Sequence, residues 1–132
     1  MSLISRFAAG LTAAFALFAP ASAMDVQVVK SPGGIEAWLV EEHGLPIISI
    51  DAGFDGGARI DPEGKAGLAY LTAVLMNEGA GEFDSTAFTQ KLQDKAISFG
   101  GNADSDAFYL SLNTLSANKA DAFELMRLAI AS

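Results

Sequence analysis

Cysteine is absent from the 132 residues, which excludes a disulfide framework and any thiolate metal site. Histidine occurs once, as His43 beside Glu41 and Glu42. Neighbouring strand side chains point to opposite faces, so this triplet reads as a solvated hairpin tip, not a metal centre. With no histidine in a plausible place near Ser85 or Ser111, a Ser-His-Asp arrangement is excluded as well. Basic residues are scarce: eight Lys and Arg against sixteen Asp and Glu give a net charge of −8. A surface of that sign repels phosphate backbones, so no nucleic-acid partner is expected. Asp51, Asp55 and Asp61 lack the spacing of a calcium loop and read as loop and strand-edge polar residues. Lys65, in Gly64-Lys65-Ala66-Gly67, lacks the frame of a phosphate loop.

The first residues read as an export signal. Arg6 supplies a positive charge, Phe7 to Phe18 are almost wholly apolar, and Ala21-Ser22-Ala23 has the small-x-small pattern of a cleavage site. The apolar core is roughly a dozen residues, short of the ~20 that a membrane-spanning helix needs. Residues 1–23 are therefore expected to be a signal peptide, with a periplasmic or secreted mature chain starting at Met24. Losing Arg6 brings the net charge to −9. No later run is apolar enough to cross a membrane, so no stable membrane insertion is expected after cleavage.

Within residues 24–132 the periodicity predicts an α+β domain, an antiparallel sheet with helices packed on one face, in the order βββααββα. Strands are expected at Val26 to Lys30, Ile35 to Glu42 (Ile35, Ala37 and Leu39 on one face) and Ile48 to Phe54, forming an antiparallel meander. Asp55 to Ala66 is a glycine-rich connection. A helix from about Gly67 to Asn77 is apolar all round, which predicts burial on every side; Gly79 and Gly81 follow it. Asp84 or Ser85 is placed to cap the next helix, whose stripe is Phe88, Leu92 and Ala96. Ala103 to Thr114 reads as strand, and a final helix from about Asn118 carries Phe123, Met126 and Ile130. The chain then stops at Ser132 with no C-cap glycine after an apolar helix face, which reads as a truncation.

Three separated runs, in order, carry a resemblance. Gly57-Ala58-Arg59-Ile60-Asp61 leads into Gly67-Leu68-Ala69, Asp84-Ser85 opens a helix, and Gly100-Gly101-Asn102-Ala103-Asp104-Ser105 enters a strand. Together they resemble the N-terminal domain of the pitrilysin/insulinase (inverzincin) zinc metallopeptidases, which include the mitochondrial processing peptidases. The likeness extends over roughly Val28 to Ile130. In that family G-L-A/S is followed by H-x-x-E-H, two zinc-ligating histidines on one helix face and a glutamate base. Here the corresponding positions are Tyr70, Ala73 and Val74. A phenol with pKa ≈ 10 is a poor zinc ligand at neutral pH, and alanine and valine offer no donor. The family's third ligand would lie beyond Ser132.

The resemblance therefore implies a member with a degenerate zinc motif: no catalytic residue, no metal ligand, no cofactor, and no activity alone. Its implied role is that of the non-catalytic subunit of a periplasmic peptidase acting on peptides. The implied partners are a zinc-bearing subunit of the same family, in a heterodimer, and an extended peptide substrate. In the family, peptide adds to the sheet edge beside the N-A strand, which puts the substrate-binding residues at Asn102, Ala103, Asp104 and Ser105. The alternatives are a structural or binding module without a proteolytic role, and a nonfunctional gene fragment.

Overall fold

The computed structural model describes residues 24–131; the expected signal peptide lies outside them. The chain divides into two units, one ending at His43 and one beginning at Gly44. The element order is the expected one, with short 3-10 turns besides, and antiparallel sheet and helices make an α+β fold. Among the described residues no helix is long and apolar enough to cross a membrane.

The first unit is a hairpin of β1 (Val26–Lys30) and β2 (Glu36–Val40). Its register runs from Val26 opposite Val40 to Lys30 opposite Glu36. The Ser31–Gly34 turn closes on the Ser31 hydroxyl, which accepts from the Ile35 amide at 3.0 Å. Ile35 itself precedes β2, and it is exposed together with Ala37 and Leu39, so the face expected to hold the three is not buried. His43 follows β2 instead of standing at the hairpin tip, and its Nε2 lies 3.7 Å from Glu41 Oε2 in solvent.

In the second unit β3 (Ile47–Asp55), β4 (Ser98–Ala103) and β5 (Ala107–Leu115) form a sheet of order β3-β5-β4. The expected meander is thereby corrected: β3 pairs with β5 and not with β2. The physical reason is length and pattern. Nine residues of β3 match nine of β5, from Ile47 opposite Leu115 to Asp55 opposite Ala107. This sets Ile50 and Ala52 beside the buried Leu112 and Leu110, whereas the five residues of β2 offer no such run. The strand expected over Ala103–Thr114 is likewise broken, because Asp104–Asp106 form a hairpin turn between β4 and β5. Gly100 and Gly101 lie within β4.

Three helices follow this scaffold: α1 (Leu68–Leu75), α2 (Ser85–Asp94) and α3 (Lys119–Ala131). Asp84 caps α2 as expected, its carboxylate accepting from the Ala87 amide at 2.8 Å. Phe88 and Leu92 enter a core with Phe99, Leu110, Leu112 and Leu125. Burying two large side chains such as Phe88 and Leu112 completely contributes about 1.5–3 kcal/mol each. On α3 the buried face is Ala122 and Leu125, with Met126 and Ala129 packed behind them. Phe123 and Ile130, expected on that stripe, are exposed, so the expected phase was one residue out.

Ala96 also departs from expectation. It stands beyond α2 with φ 49°, and Ile97 takes the buried place. The amide of Ile97 donates to the Leu92 carbonyl and that of Ala96 to Gln93, the bond pair of a Schellman motif with its apolar contact. Asn118 Nδ2 donates to the Lys95 carbonyl at 2.6 Å, tying this cap to the start of α3. Left-handed backbone disfavours a Cβ, so Ala96→Gly is expected to stabilise the domain by about 1 kcal/mol, read as a higher urea midpoint.

Candidate functional site

The run Gly57–Asp61, which carries the sequence resemblance, turns out to be a fastening. Gly56 donates to the Asp106 carbonyl, Ala58 to Asp104 and Arg59 to Ser105, all at 2.7–2.8 Å. The turn that receives them is held from within: Asp104 Oδ1 accepts from the amides of Asp106 and Ala107, each at 2.8 Å. Those amides, Ala107 first and then Asp106, keep the Asp104 carboxyl below the usual carboxylate range, and the nearby Asp104 charge pushes the Tyr109 phenol up. A Cβ built on Gly57 would stand 2.1 Å from the Asp104 carbonyl oxygen. Only a residue without a side chain lets the two backbones approach this closely.

Asp61 ends the run with a role that the sequence reading missed. Its carboxylate accepts from the amides of Gly67, Leu68 and Ala69 at 2.7, 3.1 and 2.9 Å. It therefore satisfies three of the orphan donors at the start of α1 and sets a negative charge at the positive end of the helix. The missed signal was the carboxylate itself, six residues before the N-cap Gly67 instead of directly at the first turn.

α1 lies over β4. A Cβ on Gly101 would meet the Ala73 carbonyl oxygen at 2.7 Å and its Cα at 3.1 Å, so helix and strand touch backbone to backbone. Ala73 is 1% exposed, but Tyr70 and Val74 are 56% and 40% exposed, and Leu68, Leu71 and Leu75 are exposed too. The expected all-round burial of this helix is thus corrected. The helix rests on one line of contact, and only that side is covered by the described residues.

These positions do not fit zinc. Ala73 and Val74 have no donor atom, and Tyr70 offers a single phenol where a site needs three protein ligands. Among the described residues, no three His, Asp or Glu side chains come together where a metal could be held.

The structure does bring the two sets of sequence-predicted residues into one region. Asn102 and Ala103 are in β4, the edge strand on which α1 sits. Asp104 and Ser105 are in the turn, where their carbonyls already accept from Ala58 and Arg59. The Asp104 amide donates inward to the Ala107 carbonyl at 3.0 Å. Antiparallel alternation then turns the main-chain groups of Asn102 and Gly100 toward β5 and those of Ala103, Gly101 and Phe99 outward. On the face away from the helices, Asp51, Gly53, Gly100, Asn102, Tyr109 and Ser111 line a shallow trough whose exposed surface is mostly apolar.

A three-stranded antiparallel sheet with its helices on one face, and a capped helix over the edge strand, make an α+β fold like that of an M16 peptidase inactive domain. The peptidase M16 inactive domain of Pseudomonas fluorescens superposes with a TM-score of 0.74 and 28% identity, covering 81% of this chain and 26% of that one. A protease from Helicobacter pylori shares the fold with a TM-score of 0.66 at 18% identity, again over 81% of this chain and 26% of that one. In sequence, the chain is 35% identical over 75 residues to the non-peptidase homolog YmxG of Helicobacter pylori, covering 57% of this chain and 17% of that protein. No family model matches. The chain spans about a quarter, or less, of the length of each of these proteins.

Proposed function

We propose that this chain is a non-catalytic, M16-like peptide-holding domain that works beside a zinc-bearing peptidase subunit in the periplasm. The observation that carries the reading is the pairing of α1 with β4. The helix that would bear the zinc ligands presents Tyr70, Ala73 and Val74, while the strand beneath it keeps an open edge at Phe99, Gly101 and Ala103. The names of two of its relatives, an inactive domain and a non-peptidase homolog, support loss of hydrolysis. An extended peptide adds to such an edge through main-chain hydrogen bonds, which need no metal. Asn102 and Ala103 are the residues of the expected binding set that lie on this edge. The leader pattern at Ala21-Ser22-Ala23 supports export.

Fluorescence anisotropy with a labelled, unstructured peptide tests the reading. Saturable binding without cleavage is expected, and added zinc leaves it unchanged. Ala103→Pro removes one outward donor while proline remains tolerated at a strand edge. It is expected to weaken binding on the order of tenfold with the circular dichroism spectrum intact. Undiminished affinity in the folded variant would rule out this edge.

A further inference from the structure

Above the open edge of β4, α1 carries a side-chain surface that main-chain pairing alone does not use. With about 100° of rotation per residue, the position of Ala73 fixes the rest of the helix. The backbone of Ala73 lies against Gly101, and Ala73 is buried there. Met76, about 60° round on one side, packs against the core. Tyr70 and Val74 lie about 60° and 100° round on the other side, away from the core, and both are exposed. The outward amides and carbonyls of Phe99, Gly101 and Ala103 run below them. Edge and flank together form a notch with a polar floor and an apolar overhang.

The geometry also limits what can occupy that notch. A neighbouring strand lies about 4.8 Å away, whereas packed helices need about 8–10 Å between axes. A second copy pairing through β4 would bring its own α1 over its own β4 into the space that α1 already fills. A lone extended segment has no such helix. Its side chains alternate between faces, so every second one rises toward Tyr70 and Val74. The edge sequence Ser98-Phe99-Gly100-Gly101-Asn102-Ala103 carries no charge, and the chain as a whole is at −8, which disfavours an acidic occupant.

Resting on the peptide-holding role proposed above, we infer that Tyr70 and Val74 form a selectivity clamp. The positions that correspond to zinc ligands in catalytic relatives here choose extended, non-acidic peptides with an aliphatic or aromatic residue facing α1. The clamp reads one side chain in every two along the bound segment.

The test uses the full chain and a fluorescein-labelled nonapeptide of alternating Ser and Thr, in which one position at a time is changed to Leu or to Asp. Affinity is expected to rise on the order of fivefold for Leu at alternate positions, with no gain at the positions between and a loss for Asp. Val74→Asp should bring the ratio of Leu-peptide to parent affinity close to one. Leu71→Asp, on the top of the helix and exposed, should leave that ratio as in the wild type. Binding of the parent with no position-dependent gain from Leu overturns the clamp and leaves the peptide-holding role standing. Absence of binding to every peptide overturns both. A dimer in sedimentation that Val74→Asp dissociates would assign the flank to a second copy and also overturn the clamp.

Discussion

Replacing Gly57 with alanine is expected to destabilise the domain by more than about 3 kcal/mol, beyond the usual range for one added methyl group. The new Cβ would stand 2.1 Å from the Asp104 carbonyl oxygen, 2.7 Å from the Ala107 oxygen and 2.9 Å from the Ala107 nitrogen. All three atoms are backbone, so no side chain can swing aside. Relief requires the Gly56–Arg59 segment to separate from the β4–β5 turn, and the bonds of Ala58 to Asp104 and Arg59 to Ser105 go with it. Gly100→Ala is the internal comparison. A Cβ there meets nothing within 4 Å, and a change of less than about 0.5 kcal/mol is expected. Thermal melts of the two variants check this directly, since each kcal/mol moves the midpoint by about 4–8 °C in a domain of this size. Similar melting temperatures would mean that the fastening is not what holds the turn.

The second large effect is expected at Ala73. Ala73→Glu sets a carboxylate at a position only 1% exposed, directly above the Gly101 backbone. A charge buried there is taken out of water, and the added atoms have no space, so a loss of about 3 kcal/mol or more is expected. Tyr70→His and Val74→His change exposed positions and should each cost less than about 1 kcal/mol. A variant with both histidines should therefore fold, while adding the glutamate should lower its melting temperature sharply. Equal melting temperatures for the double and triple variants would show that the contact between α1 and β4 opens readily.

Much of the fold was legible because local rules and tertiary packing agree. Val26–Lys30 is a short valine-rich strand followed by a Ser-Pro-Gly-Gly turn, and Asp84 caps α2 from the position a cap requires. The errors arose where distant chain decided the outcome. β3 finds its partner in β5 across two helices and a strand, and no local pattern near Ile48 announces that. The apolar α1 reads as a core helix, yet the described residues cover only its Ala73 side. Asp104-Ser105-Asp106 has no glycine to mark a hairpin, because the Asp104 carboxylate itself folds the turn. The candidate region followed the same division. The absence of ligands at Tyr70, Ala73 and Val74 was plain in the sequence, whereas the overhang of Tyr70 and Val74 depends on which way Ala73 faces.

The strand order carries a consequence for how the chain acquires its structure. β5 lies between β3 and β4, so Ile47 must wait for Leu115 before its ladder can form. A segment emerging N-terminus first therefore presents β3 unpaired while α1, α2 and β4 are still arriving. The local β4–β5 hairpin can close early, but closing the loop back to β3 carries the larger entropy loss and comes with high contact order. The apolar row Ile48, Ile50 and Ala52 stays in solvent until then, the interval in which a holding chaperone or premature self-association would act on this protein.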